Sequence, residues 1–397
     1  MARPSPSVAS PAAPSSAVPA AAPPGPAPVP LGDDAVVHSC DAVIWIDEVA
    51  PERAIATGGS KMGRLAELMA SGVQVPQGFA VSVQAYADHC RESGLDERID
   101  AVIARLGSAP TDAEVEAASA DIRAMFRETP IGEHLTGRLT EAYEELCLRC
   151  VDVNVPVAVR SSATGEDAAD ASFAGIFDTY LGVSGIERVL DAVRNCWGSL
   201  FTARALAYRL RKGISHHAMP IAVGVIELIH ARASGVAFSI HPVTGRSDRI
   251  VIETSWGWGE AIVQGLVDPD HVEVGKADDR ILKYDVAHKR IVSAFDFAVG
   301  AVTEIDMPAK LADRKVLDDE QVAAIASAVR SIEEHYGHPV DVEWVIGRHR
   351  RPGDPVCIVQ TRPVTVVAAP EEAVPAAYDP VALAQKYLFS GKPIPGR

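Results

Sequence analysis

No apolar run in the 397-residue chain reaches the ~18 residues that a bilayer-spanning helix requires, so no membrane span is expected. Basic residues are scarce as well. Lys and Arg number 37 against 53 Asp and Glu, and the formal charge of −16 leaves no basic stripe of the kind that tracks a nucleic-acid backbone. Cysteine is thinly spread over Cys40, Cys90, Cys147, Cys150, Cys196 and Cys357. Cys147 and Cys150 form one CxxC in a helical-looking stretch, with no second pair to complete a zinc site. Buried, reduced thiols are therefore expected, which points to the cytoplasm. A Walker A loop, G-x-x-x-x-G-K-[ST], is lacking, and so is any internal repeat. The first 32 residues lack apolar periodicity, and ten of the 28 prolines fall there. They have neither the charged start and apolar core of a secretory signal nor the arginine content of an organellar address. Such a segment cannot bury enough surface to offset its ordering entropy, so residues 1–35 read as a disordered Pro/Ala-rich tail, partly polyproline II.

From Asp41 onward the patterning is that of a folded protein. VIWIDEV reads as a short strand, GRLAELMASG as a helix stopped at Gly72, and VQVPQGFAVSVQAY as extended. Amphipathic helix dominates residues 85–150, and VPVAVRSS is a strand running into a polar loop. Helices at 187–212 precede the strands IAVGVIELI, GVAFSI and RIVIETS, and a strand-rich patch covers 271–303. A helix from Asp319 to Gly337 is followed by the strands PVDVEWVIG and VCIVQTRPV. Helices and strands interleave without a clean βα repeat. The expected architecture is two-lobed, α+β or α/β, with lobes at 36–220 and 221–368 and a linker with a short helix at 369–397.

Four clusters carry candidate chemistry. In AVRSSATGEDAADASFAG, Arg160 is read at the end of a strand, where a planar guanidinium suits phosphate oxygens and the small residues after it let backbone N–H groups approach a polyphosphate. A polar surface loop with a salt-bridged arginine would look the same. In TGGSKMGRLAEL, glycines precede Lys61 at the opening of a helix, a phosphate site if the lysine does not simply face solvent. In VDVEWVI, alternation puts Asp341 and Glu343 on one strand face, and in CIVQTRPVT it does the same for Gln360 and Arg362. Hard oxygen donors of this kind suit magnesium, and cross-strand salt bridges are the plainer alternative. In IETSWGWGEAIVQG, the Gly-rich turn could form a lid, Trp256 and Trp258 more often pack than stack, and Glu253, read at a strand end, could face the metal.

These segments occur together in one family and in this order. GGSKMGRLAEL, VPQGFAVS, VAVRSSATGEDAADASFAG, SGVAFSIHPVTG, IETSWGWGEAIVQG, DVEW and QTRPVT make residues 42–366 resemble the N-terminal nucleotide-binding domain shared by phosphoenolpyruvate synthase, pyruvate phosphate dikinase and rifampin phosphotransferase. The resemblance implies an ATP-grasp fold with ATP between two lobes. It implies phosphate contacts from Lys61, Arg160 and Arg362, with Gly175 in the loop covering the phosphates. It also implies magnesium on Glu343 and Gln360 with Asp341 nearby, and adenine beside Glu227 and Leu228. Ile226 stands where the family often has glutamine, and Ser60 where it usually has glycine.

The family's full reaction passes the β- and γ-phosphates of ATP to a histidine on a swivelling domain. None of the twelve histidines lies in the expected glycine- and hydroxyl-rich context; His216 and His217 lack the glycines, and His241 stands where an acidic residue is common. The acceptor histidine is thus expected on a companion subunit, together with the site for a small-molecule acceptor. A free-standing ATP module of this kind resembles the ATP-binding subunit of phenylphosphate synthase, with phenol as acceptor. The alternatives are part of a split phosphoenolpyruvate synthase or rifampin-type phosphotransferase, or a nucleotide-sensing subunit without turnover.

Overall fold

The computed structural model describes residues 42–364 except 108–109, 165–177, 219, 260–261, 263–264 and 297–300. The expected tail, the C-terminal linker and Gly175 lie outside these residues. The elements run β1 (Val43–Trp45), α1 (Pro51–Ala70), β2 (Gly78–Val81), α2 (Val83–Glu92), α3 (Leu95–Ile103), α4 (Asp112–Glu128), α5 (Glu133–Arg149), β3 (Val157–Ala163) and β4 (Thr179–Val183). After these come α6 (Ile186–Gly198), α7 (Ala203–Lys212), β5 (Ile221–Glu227), β6 (Ala231–Phe238), β7 (Arg249–Trp256), β8 (Asp270–Gly275), β9 (Ile281–Asp285), β10 (Ile291–Asp296) and β11 (Ala301–Asp306). The one-turn helix α8 (Ala309–Ala312), the long helix α9 (Asp319–Tyr336), β12 (Val340–Gly347) and β13 (Cys357–Pro363) complete the order.

Local chemistry accounts for several helix ends. Thr111 and Glu114 form a reciprocal capping box at the start of α4, and Asp318 and Gln321 do the same for α9. Gly337 closes α9 in the left-handed region. The extended reading of residues 73–86 is corrected here. Only Gly78–Val81 is strand, because the Ser82 hydroxyl accepts the Ala85 N–H and starts α2 at Val83.

Two antiparallel sheets organise the chain. The first has the order β1-β2-β5-β3-β4, the second β13-β12-β6-β7-β8-β9, and β10 and β11 form a separate pair. Every strand pairing within the two sheets is antiparallel, which places the fold in the α+β class rather than among the wound α/β folds. β5 is the middle strand of the first sheet, so the chain passes to the second sheet after Glu227 and not at residue 220.

Alternation along the strands divides the interior. Val157 and Val159 of β3, with Val223 and Val225 of β5, join the core formed with α2–α7. Ala158 and Ile226 face the other way and share a second core with α1, α9 and the inner residues of β6, β7, β8 and β12. Each large apolar side chain buried in these cores contributes about 1.5–3 kcal/mol. Helix α1 thus lies against the first sheet and also touches β13 of the second. That position brings Lys61 to the junction of the two sheets.

Candidate functional site

Helix α1 is two helical segments joined at Gly59, whose φ of 76° and ψ of 171° interrupt the helix. Only glycine fits there, for two reasons. The backbone is in a region that side chains disfavour, and a Cβ would lie 1.8 Å from the Ser162 carbonyl oxygen. The helix therefore restarts just before Lys61, as the glycines ahead of it suggested. The close approach locks α1 onto β3: the Met62 N–H donates to Ser162 Oγ at 3.2 Å, and Lys61 Nζ donates to the Ser161 carbonyl at 3.1 Å.

Arg160 is not at a strand end. β3 continues to Ala163, still paired with β5, and Arg160 lies opposite Gly224 of β5 and Thr179 of β4. Its side chain crosses to the second sheet. Arg160 Nη1 donates to the Val359 carbonyl at 3.1 Å, Nη2 donates to Gln360 Oε1, and Glu343 Oε2 lies 3.9 Å from Nη2. Arg160 is only 9% exposed, and its Nε, sealed from solvent, has no hydrogen-bond partner among the described residues.

The acceptors on β13 exist because of a bulge. Glu343 pairs with Gln360 and Trp344 with Ile358, so Val359 is skipped in the register. The extra residue resets the alternation: Ile358 packs with Trp344 in the core, while Gln360 shares the opposite face with Glu343. Asp341 and Arg362 are paired one step along on that same face, with Arg362 Nε donating to Asp341 Oδ2 at 2.7 Å. The structure thus gathers Arg160, Asp341, Glu343, Gln360 and Arg362, with Lys61 held on the adjoining Ser161 carbonyl.

Glu227 and Leu228 lie where the chain leaves the first sheet. The Glu227 N–H donates to Gln77 O at 2.8 Å and the Leu228 N–H to Pro156 O at 2.9 Å, which anchors the crossover. Burial pushes the Glu227 carboxyl above its usual range against the opposing hydrogen bonds of Gln77 and Cys150. Ile226 is 2% exposed and packs in the core containing α1, so no polar group replaces the family's glutamine at that position.

Glu253 differs from expectation. It lies within β7, not at its end, and stands in register with Val236, which pairs with Glu343. It shares the face of Glu343 but is two strands away, and its Oε1 is 2.7 Å from His271 Nδ1. His271 Nε2 is 3.3 Å from Glu273, which in turn binds Arg249. Trp256 and Trp258 are packing residues, donating their indole N–H groups to the carbonyls of Leu311 and Ile229. Three buried or half-buried thiols are equally inert. Cys147 and Cys150 are unlinked, and burial raises Cys90, Cys150 and Cys357 to about 12.

Sequence reasoning missed three contributors: the Val359 carbonyl, the Ser161–Ser162 pair, and the role of Gly59 as a contact point. The glycine pair before Lys61 was a signal for the last. Nothing in the sequence announces the bulge.

Residues 55–380 match the family described as pyruvate phosphate dikinase, AMP/ATP-binding domain. The chain is 40% identical over 318 residues to a probable phosphoenolpyruvate synthase of Methanothermobacter thermautotrophicus, covering 80% of this chain and 45% of that protein. It is 36% identical to the phosphoenolpyruvate synthase of Aeropyrum pernix and 34% identical to that of Neisseria meningitidis, in each case over 83% of this chain and 43% of the relative. The chain therefore spans less than half the length of these curated relatives. They carry the phosphoenolpyruvate synthase name, which favours the alternative reading over phenylphosphate synthase. No helix among the described residues is long and apolar enough to cross a membrane. With its two antiparallel sheets meeting at a cationic junction, the chain belongs to the pyruvate phosphate dikinase AMP/ATP-binding domain family and has the ATP-grasp type of fold.

Proposed function

We propose that this chain binds Mg-ATP at the junction of the two sheets and forms AMP, as the nucleotide-binding part of a phosphoenolpyruvate synthase-type dikinase. The observation that carries the reading is the bridge from Arg160 to Gln360 and Glu343, which sets a guanidinium among oxygen donors between the sheets. Arg160, Lys61 and Arg362 would hold the phosphates, and the crossover at Glu227–Leu228 would lie beside adenine. A carboxylate on Glu343, an amide oxygen on Gln360 and the Asp341 carboxylate make a hard donor set that fits magnesium. The ion, when bound, neutralises phosphate charge and polarises the phosphoryl group.

In the reaction, an imidazole nitrogen attacks the β-phosphorus, the bond from that phosphorus to the α-bridging oxygen breaks, and AMP leaves with the electron pair. The imidazole proton passes to solvent or a base. Positioning and charge neutralisation dominate such transfers. Lys61 and Arg362 each offset negative charge as it shifts onto the leaving AMP. The acceptor histidine comes from a swivelling domain on a companion subunit; water then cleaves its pyrophosphoryl group, the γ-phosphate leaves as inorganic phosphate, and the remaining β-phosphoryl group passes to pyruvate.

An assay of AMP release from ATP, with and without a phosphohistidine domain of a phosphoenolpyruvate synthase, tests the reading. AMP formed only with that domain, followed by phosphoenolpyruvate when pyruvate is supplied, is the expected result. ATP binding without AMP under every condition would favour a sensing role, and phosphorylation of phenol instead of pyruvate would restore the phenylphosphate synthase reading.

A further inference from the structure

Away from the nucleotide site, two imidazoles and a carboxylate converge. His216 and His217 occupy a single turn (His216–Ala218) just before β5, and Asp100 lies on α3. His216 Nε2 is 2.8 Å and His217 Nε2 3.2 Å from the same oxygen, Asp100 Oδ1. All three ligand atoms lie within 4.8 Å of one another. The rings are held together with centroids 4.0 Å apart, and the His216 ring rests on Phe201 at 6.2 Å. Ile99, next to Asp100, is buried in the core with α2–α7, so the cluster belongs to the helical layer and not to the face that carries Arg160.

We infer that Asp100, His216 and His217 form a binding site for a transition-metal divalent cation of the zinc class, separate from the magnesium-nucleotide site. Three features carry this. Imidazole nitrogens with one carboxylate oxygen suit borderline-soft ions such as Zn²⁺, whereas magnesium prefers an all-oxygen set. Bond lengths of about 2.0–2.2 Å in a tetrahedral site put ligand atoms about 3.3 Å apart, and the 2.8 and 3.2 Å separations need only open slightly to admit the ion. His216 Nε2 is screened from solvent and makes no hydrogen bond of acceptable geometry among the described residues despite its closeness to Asp100, so a ligand would satisfy it. The Asp100 and His217 side chains are about half exposed, so water can fill the fourth position.

The ion would tie α3 to the run-in of β5, whose far end is the crossover between the sheets. It is a structural clamp on the first sheet.

The test uses the full chain without an affinity tag, stripped with chelator and titrated with ZnCl₂ by calorimetry in the absence of ATP. One site per chain is expected, with a higher melting temperature when it is filled and a visible absorption band when CoCl₂ replaces zinc. His217→Ala and Asp100→Asn should each weaken zinc at least ~10-fold, since loss of a direct ligand costs no less than loss of an outer hydrogen-bonding partner. Both alter half-exposed side chains, and their circular dichroism should match the wild type. Glu343→Ala should leave zinc binding unchanged, which separates this site from the nucleotide site. No zinc binding by the wild type, unchanged binding in both His217→Ala and Asp100→Asn, or loss in Glu343→Ala alone would each overturn the assignment.

Discussion

Two buried cations in this molecule are treated in opposite ways. Lys289 and Asp270 are both 0% exposed and directly paired with each other. Asp270 Oδ1 accepts from Lys289 Nζ and the Ala287 N–H, and Oδ2 accepts from the Val316 N–H and the Tyr284 hydroxyl. The Lys289 ammonium also donates to the Ala287 carbonyl. Arg160 is nearly as buried, yet among the described residues its acceptors are a bulge carbonyl and an amide, its nearest carboxylate is at 3.9 Å, and its Nε is unmatched. A direct counter-charge whose oxygens are all occupied marks a charge that holds structure together. An incomplete set of partners, at a junction between sheets, marks a charge with donors left for a ligand.

Breaking the structural pair should give the largest effect. Asp270→Asn leaves Lys289 buried without its counter-charge and should cost about 3–5 kcal/mol in denaturant unfolding. The AMP-forming rate per folded molecule should be unchanged, and a rate loss without a stability loss would invert the comparison. On the other side, Lys61→Ala and Arg362→Ala should lower AMP formation ~10²–10³-fold, with the melting temperature retained in Lys61→Ala and lowered in Arg362→Ala, which removes the ion-pair partner of the buried Asp341. Normal AMP output from either variant would remove that residue from the site. Glu343→Ala is a finer probe: the magnesium concentration for half-maximal AMP formation should rise about tenfold, equivalent to about 1.4 kcal/mol. An unchanged magnesium titration would assign Glu343 to Arg160 alone.

The smallest effect concerns the face the site shares with Glu253. Burial disfavours a charged His271, but hydrogen bonds and charges from Glu253 and Glu273 outweigh it and raise the imidazole above its ordinary value. Folding therefore favours protonated His271. That stabilisation is complete below about pH 6.5 and fades as pH climbs through the raised value. Melting curves of wild type and His271→Gln should differ most near about pH 6 and converge in alkali. A gap that widened with pH would show that His271 is held neutral.

Much of the site was legible because it lies on strands whose period is fixed. Asp341 and Glu343 alternate with Val342 and Trp344, and a period of two leaves no other arrangement once the apolar pair is buried. The Gly58–Gly59 pair likewise located the start of the helical segment that bears Lys61. Arg160 was misplaced because Ser161 and Ser162 read as loop residues. Strand pairing with β5 and the contact with α1 override their weak strand preference. Glu253 was misread for a related reason: local sequence gives the face of a strand but not the strand's place in a sheet.

The sequence alone determined what depends on near neighbours: the helix caps, the alternation that aims carboxylates to one side, and the glycine that interrupts α1. Tertiary structure decided what depends on residues far apart in the chain. Arg160 meets Gln360 across 200 residues, a bulge at Val359 turns Gln360 out of the core, and Asp100 meets two histidines more than a hundred positions later. The physical reason is range. Dihedral preferences and capping hydrogen bonds act within a few residues, whereas which strands become neighbours is chosen by burial of the whole apolar surface.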